Sequence, residues 1–198
     1  MMRRRLVVGP LVVSLCWAWA GCGSGAPDRV DGMSYTDRQK HFALNLLPSW
    51  ERMPAKALPA GGKDAAMFVR GLPEGVGQAT INVTVDTAPG TTGLSDYLRE
   101  NQALFARRAV GYDELRAAVV DHPSGQKACL IDATFERIGR GDADTAAGAP
   151  GGPKKRFVQY AMLHGGKQYI ITAMGPAADA QAQWLPEATA ILDSLVVW

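Results

Sequence analysis

The stretch RFVQYAMLHGGKQYIITAM, residues 156–174, decides how the rest of the chain is read. Two β-prone runs, Arg156 to Leu163 and Gln168 to Met174, flank Gly165-Gly166. Paired glycines supply the positive φ that a tight turn requires, so the pattern predicts an antiparallel hairpin. Just upstream, residues 139–153 are nearly all Gly, Ala, Asp, Thr and Pro and read as a mobile loop. Before that loop, Glu114 to Asp121 and Lys127 to Arg137 read as strands joined by the turn His122-Pro123-Ser124-Gly125. In the second strand Cys129, Ile131, Ala133 and Phe135 share one face, and Leu130, Asp132, Thr134 and Glu136 share the other. Downstream of the hairpin, Trp184, Leu185, Ala188, Ile191, Leu192 and Leu195 fall on one stripe, which predicts a closing helix from about Ala177 to Leu195.

Further toward the N-terminus the same two periods recur. Gln78 to Asp86 alternates strictly: Ile81, Val83 and Val85 point one way, Thr80, Asn82 and Thr84 the other. A helix from about Leu94 to Arg108 follows, with Leu94, Tyr97, Leu98, Leu104 and Phe105 on its apolar side. Met67 to Arg70 reads as a strand. Ser34 to Asp37 and His41 to Leu46 read as a first hairpin, ended by Pro48-Ser49-Trp50, and Pro54, Pro59, Gly61 and Gly62 mark a loop. The order is several strands, a helix, four strands and a closing helix, with no internal repeat. Hairpin connections and late helices predict one α+β domain over residues 34–198, a mainly antiparallel sheet flanked by helices.

Composition agrees with a packed domain. The chain has 198 residues, is 47% hydrophobic and holds only 3 Cys, which excludes collagen, wholesale disorder and a disulfide-stapled miniprotein. Its formal charge of +2 overstates its basic character, because Arg3, Arg4 and Arg5 lie in a segment read as removed. Without residues 1–21 the balance is 18 basic against 19 acidic residues, so no nucleic-acid partner is expected.

The removed segment is an export signal. Met1 to Arg5 is cationic, Leu6 to Ala20 is largely apolar, and the small residues Ala20 and Gly21 precede Cys22. Gly9 and Pro10 break the run, which is too short for a confident membrane-spanning helix. Trp19-Ala20-Gly21-Cys22 resembles a bacterial lipobox, with Trp19 where Leu is usual. That resemblance implies cleavage before Cys22, a diacylglycerol on its thiol and an acyl chain such as palmitate on the new amine. A plain secretory signal is the alternative. Cys16 is a poor rival, since Leu15 before it is too large for the cleavage pocket. Several acyl chains anchor a protein firmly without a spanning helix. Gly23 stands where Asp would signal inner-membrane retention, which points to the outer membrane, facing the periplasm. Residues 22–33 then read as the lipidated cysteine and a flexible tether.

The body resembles the PsbP-like family, of PsbP/DcrB type, which includes a photosystem extrinsic subunit, a eukaryotic nuclear-import factor and many bacterial lipoproteins. The residues that carry the resemblance are Tyr35 near Asp37 and Phe42-Ala43-Leu44-Asn45-Leu46-Leu47-Pro48-Ser49-Trp50, a strand running into Pro-x-Trp. The glycine hairpin before Gln168-Tyr169-Ile170 and the ending Ile191-Leu192-Asp193-Ser194-Leu195 add to it. The resemblance implies an α/β/α sandwich and no common chemistry, because members act as assembly factors, receptors or accessory subunits.

The residues themselves carry little catalytic signature. His41, His122 and His164 sit at strand ends or turns without metal-ligand spacing and read as surface histidines, so no metal or cofactor is expected. Cys129 lies on an apolar strand face, where a thiol acts as a small hydrophobe. Asp132 and Glu136 share a strand face, as an acid–base pair would, although alternating polar residues usually mark the solvent side. Lys154-Lys155-Arg156 is a compact basic run suited to phosphate or an acidic partner, or simply solvated. Arg140-Gly141-Asp142 spells an adhesion tripeptide by coincidence, and Trp198 is a candidate contact residue at the last position. Two functions follow. The first is a non-enzymatic envelope lipoprotein that binds a protein partner or a small apolar, lipid-like ligand. The second is an envelope hydrolase or other enzyme using Asp132, Glu136 and His164. Convergence of those three in one cleft separates the two, because an enzyme needs it and a binding module instead needs an apolar groove.

Overall fold

The structure, a computed structural model, describes residues 29–31, 34–54, 64–73, 77–88, 93–138, 153–178 and 183–198. Residues 1–21, expected as an export signal, Cys22, and residues 139–152 of the expected loop, with Arg140-Gly141-Asp142, lie outside the described residues. In chain order the elements are β1 (Arg29–Asp31), β2 (Ser34–Asp37), β3 (Phe42–Asn45), β4 (Glu51–Arg52), β5 (Asp64–Gly71), β6 (Gln78–Thr87) and α1 (Leu94–Arg108). They continue as β7 (Ala109–Val110), β8 (Asp113–Asp121), β9 (Lys127–Phe135), β10 (Arg137–Ile138), β11 (Lys155–His164), β12 (Lys167–Pro176), α2 (Trp184–Asp193) and β13 (Val196–Val197).

The fold is α+β. The 156–174 stretch forms the hairpin β11–β12, with Leu163 opposite Gln168 and both turn glycines at positive φ. It is the centre of a seven-stranded antiparallel sheet ordered β4-β5-β6-β12-β11-β9-β8. Strict alternation along β6 holds: Ile81 and Val83 are fully buried on one face, and Thr80, Asn82 and Thr84 lie on the other.

One face of this sheet is closed by α2 and a second sheet ordered β1-β2-β3-β13. Tyr35 of the small sheet meets Phe68 of the large one edge-on at 5.2 Å, and Trp184, Ile191 and Leu192 of α2 are fully buried over the same face. Residues 29–31, in the stretch expected as tether, pair with β2. The closing helix is shorter than its apolar stripe suggests. The strand β12 runs to Pro176 and the Ala177 N–H donates to the Lys154 carbonyl, so residue 177 is held to the sheet margin. Helix α2 begins at Trp184, and Pro186 falls in its first turn, where no N–H is required.

The other face is covered only in part. Helix α1, with Asp96 in its first turn and Arg107 and Arg108 in its last, complements its own dipole. It lies over β8, β9 and β11. Tyr97, Leu98 and Phe105 pack on Cys129, Ile131, Ala133 and Phe157, and the cover reaches only as far as Met174 of β12. Beyond that line the faces of β6 and β5 have no helix above them among the described residues.

Candidate functional site

The half-covered face produces an open concavity. Cross-strand register places Met67 beside Asn82, and Thr80 beside Met174. These side chains floor an open groove of about 480 Å³. Pro153, Gly175 and Pro176 line it too, and Lys154 and Lys155 stand at its rim, both exposed. The Oδ1 of Asn82 is buried there with no hydrogen-bond partner among the described residues. A buried amide oxygen without a donor costs about 1–3 kcal/mol, so the groove holds one acceptor that a bound group can satisfy. Apolar methionine and proline surfaces, one such acceptor and two cations on the lip suit an extended, acidic ligand segment.

The basic run at 154–156 is split at the start of β11. Lys154, just before the strand, and Lys155, its first residue, line the groove, whereas alternation turns Arg156 to the other face. There it makes two bonds to Asp132, 2.8 Å to Oδ1 and 2.6 Å to Oδ2.

The three residues of the enzymatic alternative do not converge. Asp132 is engaged by Arg156. Strand β9 ends at Phe135, so Glu136 does not continue the face of Asp132. Its N–H bonds the Val110 carbonyl, and its side chain lies where a Cβ on Gly111 would come within 2.9 Å. His164 closes β11, six residues beyond the position opposite Asp132, or roughly 20 Å along the strand.

The histidines divide. His41 and His164 are exposed, as a surface reading expects. His122 is not: it is only 2% exposed. The Ser124 N–H donates to its Nδ1 at 3.1 Å, so Nε2 carries the proton and donates to the Leu192 carbonyl at 3.1 Å. The Nε2–H thus satisfies one of the orphan carbonyls at the end of α2, and the ring is neutral because Nδ1 accepts from Ser124. Burial lowers its pKa, against opposing pulls from the Leu192 carbonyl and the Asp193 carboxylate. Among the described residues no group of three His, Cys, Asp or Glu is placed to hold a metal ion.

Cys129 is buried, and its thiol donates to the Leu94 carbonyl. Burial pushes its pKa up to about 11, the opposite of what a nucleophilic thiol needs. Burial likewise raises Tyr97 to about 12. These shifts come from desolvation and create no acid–base pair.

One polar cluster had no sequence signal at Glu187. Glu187, in the first turn of α2, accepts bonds from the Ser49 hydroxyl at 2.6 Å, the Trp50 indole N–H at 3.2 Å and Arg70 at 3.1 Å. The Pro-x-Trp segment is therefore a clamp between the small sheet's exit and α2. The groove was half visible: the polar row Thr80, Asn82 and Thr84 and the lysine pair are both in the sequence, but nothing in it brings them together.

No protein-family model matches the chain, and no curated protein matches it. Solved structures do. Cyanobacterial PsbP from Synechocystis superposes with a TM-score of 0.55 at 14% identity, covering 89% of this chain and 99% of that one. The fold is PsbP-like. LpqN of Mycobacterium tuberculosis, described as involved in cell envelope biogenesis, matches with a TM-score of 0.54 at 13% identity over 88% of this chain and 87% of its own. The Saccharomyces cerevisiae Ran-binding protein Mog1p matches with a TM-score of 0.52 at 10% identity, over 83% and 94%. At these identities the PsbP-like likeness is one of fold.

Proposed function

We propose that the protein is a non-enzymatic accessory module of the bacterial cell envelope, anchored by lipid at Cys22 and binding a partner protein through the groove beside α1. In this reading residues 1–21 are cleaved, Cys22 begins the mature chain, and the PsbP-like domain binds an acidic, extended segment of the partner. The observation that carries the reading is the groove itself: Met67 and Met174 on its floor, an Asn82 Oδ1 with no partner among the described residues, and exposed Lys154 and Lys155. Its opening to solvent favours a peptide over an acyl chain, which a binding site must enclose on most sides. Its PsbP-like neighbours include a Ran-binding protein and a cell-envelope protein, which supports an accessory role.

The anchor is tested by Cys22→Ala or by globomycin. Either is expected to accumulate precursor or release the protein from membranes, and unchanged membrane fractionation overturns it. The binding role is tested by mild crosslinking of the native protein in its own membranes, followed by mass spectrometry of proteins and extracted lipids. A partner peptide crosslinked near Lys154 or Lys155 is expected. Bound lipid without a protein partner would make it a carrier instead.

A further inference from the structure

We infer that the end of the domain bearing the β2–β3 turn, the β11–β12 turn and Trp198 rests on the bilayer, and that its occupant is a membrane surface with anionic headgroups. The inference rests on the lipid anchor proposed at Cys22.

The position of Arg29 supplies the first argument. Strand β1 runs antiparallel to β2 with Arg29 opposite Thr36, next to the row that leads into the β2–β3 turn. The chain therefore enters the small sheet from the turn end. That end is one continuous surface. The Trp198 N–H bonds the His41 carbonyl at 3.2 Å, and the Tyr169 hydroxyl of β12 bonds the Lys40 carbonyl at 3.0 Å. His41, His164, Lys167 and Trp198 share one shallow depression.

Tether length supplies the second. Six residues separate Cys22 from Arg29, and the seven steps between them, at about 3.5 Å each, span at most about 25 Å in any conformation. The ten residues of β12 make the sheet about 30 Å long. A bilayer at the groove end would require a tether drawn almost straight, whereas a bilayer at the turn end requires no extension at all.

Chemistry supplies the third. Arg38 and Lys40 are exposed in the β2–β3 turn, and Lys167 follows the glycine turn beside them. Asp37 is 6% exposed, with its Oδ1 taken by the Lys40 N–H. Asp86 lies in the neighbouring depression, inward of Lys40 and Lys167. Cations therefore lead at the tips. Trp198 is 49% exposed and Val196 48%, on the outward side of β13, while Val197 between them is buried. An exposed indole among cations is the pairing that favours an anionic bilayer interface. With this end down, the groove at the far end of β12 faces away from the membrane, toward a partner.

The test uses the mature lipidated chain in phosphatidylcholine vesicles with or without phosphatidylglycerol, the acyl chains brominated near the glycerol. After residue 21 the tryptophans are Trp50 and Trp184, both buried, and Trp198, so exposed emission reports on Trp198. The lipids are expected to quench a component that Trp198→Phe removes. Adding phosphatidylglycerol should deepen that quenching, and the combined Arg38→Glu, Lys40→Glu and Lys167→Glu variant should lose the added part while keeping its near-UV circular dichroism. Co-flotation without quenching overturns the orientation and leaves the anchor standing. Quenching indifferent to phosphatidylglycerol overturns the headgroup preference. A chain that does not co-float, with Cys22 unmodified by mass, overturns the anchor and the orientation with it.

Discussion

The two faces of the large sheet are built from the same strands and finished differently. On the face toward α2, the central strands are covered by the helix and the small sheet, and Phe68, Ile81, Ile171 and Trp184 are fully buried. On the face toward α1, cover among the described residues stops at Met174, and β5 and β6 present Met67, Thr80 and Asn82 to an open groove. The difference teaches where stability and the proposed function separate: the closed layer fixes the fold, and binding is proposed at the half of the opposite layer that the described residues leave open.

The sharpest way to break that comparison is at Trp184. Its ring lies on Gly175 so closely that a Cβ there would come within 2.5 Å of the indole. Trp184→Ala is expected to destabilise the domain by about 3–5 kcal/mol, through lost burial and the cavity left behind. Met67→Ala on the open face should cost clearly less. Urea unfolding of both variants checks this, and equal losses would mean that the open half is as structural as the closed one. The next effect belongs to Glu187. Its removal strands the Trp50 indole N–H and Arg70 at once, so Glu187→Ala should cost about 2 kcal/mol by the same measurement. Glu187→Gln should recover part of that loss, since an amide oxygen still accepts one of the bonds.

How much of this was legible follows the same divide. The long strands were readable because alternation with β-branched residues, as along β6, reports a sheet with one dry face. Two-residue strands such as β4, β7 and β13 carry no period, and their pairing is decided by neighbours that arrive from elsewhere in the chain. His122 sits among Pro123, Ser124 and Gly125, which signal an exposed turn. It is buried because the last carbonyls of α2 come to rest on it from 70 residues away. The helix α1 was found with its bounds, yet its sequence does not say across which strands it lies, so the groove it leaves open was invisible. Asp132 and Glu136 looked like one face of a strand until the bend at Glu136 separated them. The lysine pair and Asn82 were in view as residues, but their meeting depends on the register between β6, β12 and β11.

A smaller effect tests the closed face through pH. His122 is held neutral, with a pKa below its ordinary value of about 6.5. Below pH 6.5 the unfolded chain takes up a proton that the folded imidazole refuses, so stability falls as pH falls through that window, down to the folded value. The loss cannot exceed about 1.4 kcal/mol per pH unit. Denaturation of wild type and His122→Gln at pH 7.5 and 5.5 isolates it. The variant should lose less stability on acidification, and an identical loss in both would show that His122 protonates freely in the fold.

The smallest effect on stability is expected where the effect on binding is greatest. Lys154 and Lys155 are exposed, and neither is needed by the Arg156–Asp132 pair beside them. The double variant Lys154→Glu, Lys155→Glu should therefore unfold within about 0.5 kcal/mol of wild type. If the groove takes an acidic segment, the same variant should crosslink poorly to its partner, and wild-type capture should weaken with added salt, because rim charges act mainly on encounter. Asn82→Leu gives the complementary reading: it removes the stranded acceptor, so stability should hold or rise slightly while capture falls. A fall in stability without a fall in capture would assign Asn82 to the fold. The open half of the sheet would then be merely uncovered, and the working surface would have to lie elsewhere on the domain.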